Sequence, residues 1–201
     1  KVVFLRPLGL RLDFLAKHQK EIKEDILLKI VGADTRMTWN YMSMLWGPQD
    51  PPEYIRQLFH SEYPDEAVDY RDYLFPGIPD LLDQLKAQGY TLALASSSKK
   101  KAIHRMLKEN ELECYFNIIV SGEDFKESKP NPEIYHDTRA KLQLAPEECL
   151  IVEDSSYGIQ AGKAAGMEVV AIKDTQFSFD QSSADYFIDK TTDLINLLPL
   201  I

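Results

Sequence analysis

Apolar and polar positions change rhythm close to residue 77 of this 201-residue chain. Beyond that point short unbroken apolar runs recur: TLALAS (91–96), NIIVS (117–121), CLIVED (149–154) and EVVAIK (168–173). Such runs, with no polar alternation, predict strands buried on both faces, as a parallel sheet requires. Between them the spacing turns helical. Ile78, Leu81, Leu82 and Leu85 fall at i, i+3, i+4 and i+7 and draw one apolar stripe, which Gly89 ends. Ile103, Met106 and Leu107 mark a second helix, and residues 134–142 a third with Pro132 near its first turn. Residues 157–165 give a fourth, stopped by Gly166. This alternation predicts an α/β fold, a doubly wound parallel sheet with right-handed crossovers. KVVF (1–4) is expected to add a central strand, and YFI (186–188) a late edge strand.

Residues 8–75 keep a different rhythm. They hold Trp39 and Trp46, and sets such as Ile26, Leu27, Ile30 and Tyr54, Ile55, Leu58, Phe59 have helical spacing. No strand-like run interrupts them. The pattern predicts a small helical domain, residues 8–75, inserted after the first strand. Residues 1–7 and 76–201 would then form the α/β core, re-entered through Pro76 and Gly77.

Composition narrows the function. The chain is 44% hydrophobic and 27% charged, with no apolar run near the roughly 18 residues of a membrane-spanning helix. A net charge of −9 argues against a nucleic-acid surface, which needs a basic face. It leaves room for a small phosphorylated ligand held by a few placed cations. Cys114 and Cys149 lack metal-ligand spacing and are expected as buried thiols of a monomer in a reducing, cytoplasmic compartment.

In open α/β sheets ligands bind beyond the carboxyl ends of the strands, so those positions form one constellation. The 91–96 run ends in Ser96, Ser97 and Ser98, followed by Lys99; Lys129 precedes Pro130; the 149–154 run ends in Glu153 and Asp154. The serines also read as a turn and helix cap, and Lys99 to Lys101 as a solvated face. Yet three lysines in a first helical turn oppose the helix dipole, a penalty that a bound anion would reverse. Lys129, beside two conformationally restricting prolines, suits a preorganised charge for a phosphoryl group. Adjacent carboxylates at a sheet rim repel each other; a hard cation such as Mg²⁺ is one reason to keep them, a helix N-cap another. Together these groups describe phosphoryl transfer with its nucleophile missing.

The segments LALASSSKK (92–100), VSGEDFKESKPNPEIY (120–135) and IVEDSSYGIQAGKAAGM (151–167) resemble, in order and spacing, the haloacid dehalogenase superfamily, in the branch of β-phosphoglucomutase and its phosphatase relatives. The resemblance implies a Rossmann-like core with a helical cap after the first strand. It implies that Ser96 and the Ser97 backbone bind phosphoryl oxygens and that Lys129 ties that group to the nucleophile. Glu153 and Asp154 would serve a Mg²⁺ site, Asp154 as the direct ligand, and Lys99 would lie near substrate. IVGADTRMTW (30–39) resembles the substrate-facing part of the cap, which makes Arg36 a distal contact. The implied activity is Mg²⁺-dependent hydrolysis of a small phosphorylated metabolite, such as a sugar phosphate, through an aspartyl-phosphate; a β-phosphoglucomutase-like phosphomutase is the alternative.

The departure lies at the start. The family's first strand runs into Asp-x-Asp-Gly, whose first aspartate is the nucleophile and whose second is the general acid/base. Here Phe4 is followed by Leu5, Arg6 and Pro7, and the first aspartate is Asp13, inside a helical stretch. About ten residues are lacking relative to the family's spacing, too many for a trimmed loop. The expectation is that a catalytic loop belongs between Phe4 and Leu5 and is absent from this sequence. A true deletion, leaving a phosphometabolite-binding pseudoenzyme, is the alternative.

Overall fold

The computed structural model describes residues 8–30, 33, 35–64, 69–174 and 180–200. The strand expected at 1–4 and the Phe4–Leu5 junction lie outside the described residues. Four helices come first: α1 (Leu8–Lys17), α2 (Glu24–Ile30), α3 (Thr35–Trp46) and α4 (Pro52–Glu62). They share an apolar centre of Phe14, Leu15, Trp39, Met42, Trp46, Ile55 and Phe59, drawn from residues 14–59 alone. Phe14 stacks on Trp46 at 5.0 Å and meets Phe59 edge-on at 5.3 Å, geometries that aromatic quadrupoles favour.

From Ile78 onward strands and helices alternate: α5 (Ile78–Ala87), β1 (Ala93–Ser96), α6 (Lys100–Glu109), β2 (Ile118–Ser121), α7 (Glu133–Leu142), β3 (Leu150–Glu153), α8 (Ser156–Ala164), β4 (Glu168–Ile172), β5 (Tyr186–Ile188) and α9 (Leu194–Leu197). All pairings are parallel: β1 with β2, β3 with β4, and β4 with β5. Among the described residues β1 and β3 each pair on one side, and both line an apolar cleft of about 260 Å³.

Successive residues of β4 show why the sheet is covered on both faces. Val170 and Ile172 enter a cluster with Leu81, Leu85, Ile103, Leu107 and Leu194 of α5, α6 and α9. Val169 and Ala171 enter another with Ile134, Ile159 and Ala161 of α7 and α8. Side chains alternate across a strand, so helices on both sides demand the continuous apolar runs seen in the sequence. The doubly wound α/β expectation is met in these strands.

Two helix ends follow the same device. At Gly89 (φ +86°) and Gly166 (φ +73°) the chain turns left-handed. Tyr90 N–H then reaches Leu85 O at 3.0 Å and Met167 N–H reaches Gly162 O at 3.2 Å, capping the last carbonyls of α5 and α8. Each cap delivers the chain into the next strand. One expectation is corrected: both cysteines are free, but neither is fully buried, Cys149 being half-buried before β3 and Cys114 exposed, because it sits on the surface turn Glu113–Tyr115 between α6 and β2.

Candidate active site

The chemistry-bearing residues converge where β1 and β3 end. Lys129 and Glu153 are the charged pair at its centre, with side chains 1% and 0% exposed and Nζ 2.7 Å from Oε1. Lys129 Nζ also donates to Ala95 O at 3.2 Å and to the Tyr135 hydroxyl at 2.8 Å. One ammonium thus joins the end of β1, the final residue of β3 and the start of α7. Tyr135 in turn donates to Glu153 Oε1 at 2.5 Å. Its burial, then the charge of Glu153, raise its pKa well above the ordinary tyrosine value, so it stays a proton donor at neutral pH.

Local sequence explains how these groups are held. Ser155 Oγ accepts from Gly158 N–H at 3.1 Å and caps α8, so Glu153 and Asp154 are not the cap, which was the alternative reading of that pair. Gly158 lies against the Glu153 carboxyl group, where a Cβ would overlap it. Asp154 is half-buried at the rim, its carbonyl bonded by the Gln181 amide at 2.7 Å. Gln181 also donates to Ile172 O at 2.8 Å and accepts from Asp174 N–H at 3.0 Å, tying the ends of β3 and β4 together.

Ser96 is the last residue of β1 and Ser97 follows it. Ser96 Oγ accepts from Ser98 N–H at 3.2 Å. Ser97 Oγ is buried with no hydrogen-bond partner among the described residues, a state disfavoured by roughly 1–3 kcal/mol that a ligand oxygen would relieve. Lys99 is exposed just before α6. The anion expected at that helix N-terminus is supplied by the chain itself: Glu123 Oε2 accepts from Lys100 N–H at 3.1 Å, and Asp124 pairs with Lys100 Nζ at 2.5 Å. The lysine run therefore needs no ligand to offset the helix dipole. Arg36 lies exposed on α3 and no contact among the described residues brings it to this cluster. Asp13 is exposed within α1.

The donor set suits a magnesium ion in kind. Asp154 offers a hard carboxylate oxygen at the rim, and Mg²⁺ is commonly held by one or two carboxylates, water and substrate phosphate. Glu153 is engaged by Lys129 and Tyr135, and among the described residues no three acidic, histidine or cysteine side chains converge on one point. Sequence reasoning missed Tyr135, which ends the KPNPEIY segment, and Gln181. Tyr135 carried a signal, since a tyrosine six residues after Lys129 falls on the buried face of α7; Gln181 carried none.

Compared with known proteins, residues 12–172 match the model of the haloacid dehalogenase-like hydrolase family. A phosphorylated carbohydrates phosphatase of Thermotoga maritima is 38% identical over 153 residues, which is 75% of this chain and 69% of that protein. A phosphoglycolate phosphatase of Aquifex aeolicus is 32% identical over 146 residues, 73% of this chain and 68% of that one. The β-phosphoglucomutase of Clostridium difficile has a crystal structure that superposes with a TM-score of 0.73 at 21% identity, over 96% of this chain and 89% of that chain; at that identity the likeness concerns the fold. Among such curated relatives the chain spans from 32% to 69% of their length.

Proposed function

Since the chain belongs to the haloacid dehalogenase-like hydrolase family, we propose that it forms the site of a magnesium-dependent phosphohydrolase for a small phosphorylated metabolite, a sugar phosphate in particular. The observation that carries this reading is the buried Lys129–Glu153 pair at the carboxyl ends of β1 and β3, together with the Ser97 hydroxyl just past β1, buried with no partner among the described residues. A buried ion pair is often no more stabilising than apolar packing of the same size, and a phosphoryl group at the strand ends would give the buried cation a use.

In this reading Lys129 donates to a phosphoryl oxygen and offsets its charge. The Ser96 hydroxyl, the Ser97 backbone and the Ser97 hydroxyl bind the other oxygens. Asp154 would hold the magnesium ion directly, Glu153 would serve that site from within its bonds to Lys129 and Tyr135, and the ion when bound would offset charge on the phosphoryl group. Lys99 and Arg36 are assigned to the remainder of the substrate. Residues 8–75 act as a cap over the strand ends, consistent with Tyr41 of α3 coming near enough to Tyr157 of α8 to help burial raise the Tyr157 pKa. The nucleophile is a carboxylate on an Asp-x-Asp-Gly loop belonging between Phe4 and Leu5. It attacks phosphorus, the alcohol leaves with a proton from the second aspartate, and water then cleaves the aspartyl-phosphate.

A second reading, a binding protein without turnover, is favoured by one observation: between Phe4 and the start of α1 at Leu8 the chain carries only Leu5, Arg6 and Pro7. Release of inorganic phosphate from a panel of sugar phosphates separates the two. The account expects none from the 201-residue chain and Mg²⁺-dependent release once an Asp-x-Asp-Gly loop of about ten residues is placed after Phe4. Phosphate moved to a second position on the sugar, without release, would mark a phosphomutase. Inactivity of the loop-bearing protein on every sugar phosphate, with neither release nor transfer, would refute the enzymatic reading.

A further inference from the structure

Phosphoryl transfer as set out above gives Tyr135 no task, yet its hydroxyl stands at the centre of the buried cluster. An ammonium has three N–H bonds, and the described contacts of Lys129 already include three acceptors: Ala95 O at 3.2 Å, Tyr135 Oη at 2.8 Å and Glu153 Oε1 at 2.7 Å. To donate to a phosphoryl oxygen, Lys129 has to turn away from one of them. The Glu153 contact is the one that sets a charge against a charge, and Glu153 is fully buried. Glu153 Oε2 keeps the longer contacts from Asp154 N–H and the Ser155 hydroxyl, both at 3.4 Å, but a buried carboxylate that gives up its counter-ion is strongly disfavoured.

The Tyr135 hydroxyl answers that difficulty geometrically. It donates to the same oxygen, Glu153 Oε1, at 2.5 Å while accepting from Lys129. The ring lies beneath the ammonium, with Nζ 4.5 Å from its centre, so the cation keeps a favourable surface as it turns. We propose that Tyr135 is a positioning residue that holds the Glu153 carboxylate and sets the Lys129 ammonium, allowing Lys129 to pass from Glu153 to a phosphoryl oxygen. The proposal rests on Lys129 being a phosphoryl contact.

Inorganic phosphate titrated calorimetrically into the 201-residue chain, Tyr135→Phe and Lys129→Met tests it. Tyr135→Phe keeps the ring and removes the hydroxyl, and is expected to weaken phosphate binding about tenfold; Lys129→Met is expected to abolish it. The unmodified chain carrying ¹³Cζ-tyrosine supplies the second measurement, needed if Tyr135→Phe does not fold. There the Tyr135 Cζ resonance should move with the binding isotherm, a response that packing alone does not produce. Phosphate binding by the unmodified chain with a stationary Tyr135 resonance, or binding by Tyr135→Phe within about twofold of it, overturns the proposal and leaves the phosphate site standing. No binding by the unmodified chain overturns the phosphate site first, and the proposal with it.

Discussion

Substituting Gly158 by alanine tests the buried pair through its effect on stability. At an exposed helical site this change stabilises by about 1 kcal/mol, because alanine has the higher helix propensity. Gly158 lies in the first turn of α8, and a Cβ there would overlap the Glu153 carboxyl carbon and Oε2 and stand 2.5 Å from Oε1. Ordinary carbon contacts begin near ~3.5 Å, so one side has to give. The backbone is fixed by the Gly158 N–H bond to Ser155 Oγ. The carboxylate is fixed by Lys129 and Tyr135. Displacing it breaks a buried ion pair, at about 3–5 kcal/mol. Subtracting the propensity gain leaves Gly158→Ala destabilised by about 2–4 kcal/mol. Urea denaturation gives the value from the shift in midpoint at unchanged slope. An unchanged or raised midpoint would show that Glu153 does not occupy this position and would sink the description of the cluster.

Two further predictions concern the supports of the site. Gln181→Leu leaves Asp154 O, Ile172 O and Asp174 N–H without their partner, and is expected to lower stability by about 2–4 kcal/mol in the same assay; a loss under about 0.5 kcal/mol would show that water replaces the amide freely. Asp185 is partly desolvated, which raises its pKa, but the hydrogen bonds from Lys163 and from Val169 N–H outweigh that and hold it below the ordinary carboxylate value. A depressed folded-state pKa contributes stability that is present above the unfolded value and lost as pH falls through the folded one. Wild-type protein should therefore lose urea resistance more steeply than Asp185→Asn as pH drops below about 4; parallel curves would contradict the assignment.

The α/β part of the fold was legible because its strands are buried on both faces. Burial leaves an unbroken apolar run, and Gly89 and Gly166 mark the helix ends where left-handed turns are required. The site was legible in its charged members for a related reason: Lys129 and Glu153 interrupt strongly apolar or proline-rich surroundings. What could not be read was how they are satisfied. Whether Glu153 faces a metal or a lysine depends on a contact across 24 positions, and no local pattern encodes it. At the lysines that open α6 the partner was hidden for the same reason, since the carboxylate that accepts from Lys100 N–H, Glu123, comes from beyond β2. Tyr135 was not singled out, because the carboxylate that its hydroxyl meets, Glu153, lies 18 positions away on β3.

The claim that Ser96, Ser97 and Lys129 form one phosphoryl site is tested most directly by titrating inorganic phosphate into the ¹⁵N-labelled 201-residue chain and following its backbone amides. The account predicts that the Ser97, Ser98 and Lys129 amides shift together along one isotherm, and that Lys129→Met abolishes all three responses. Shifts confined to the exposed lysines at the start of α6, or responses that persist in Lys129→Met, would contradict it.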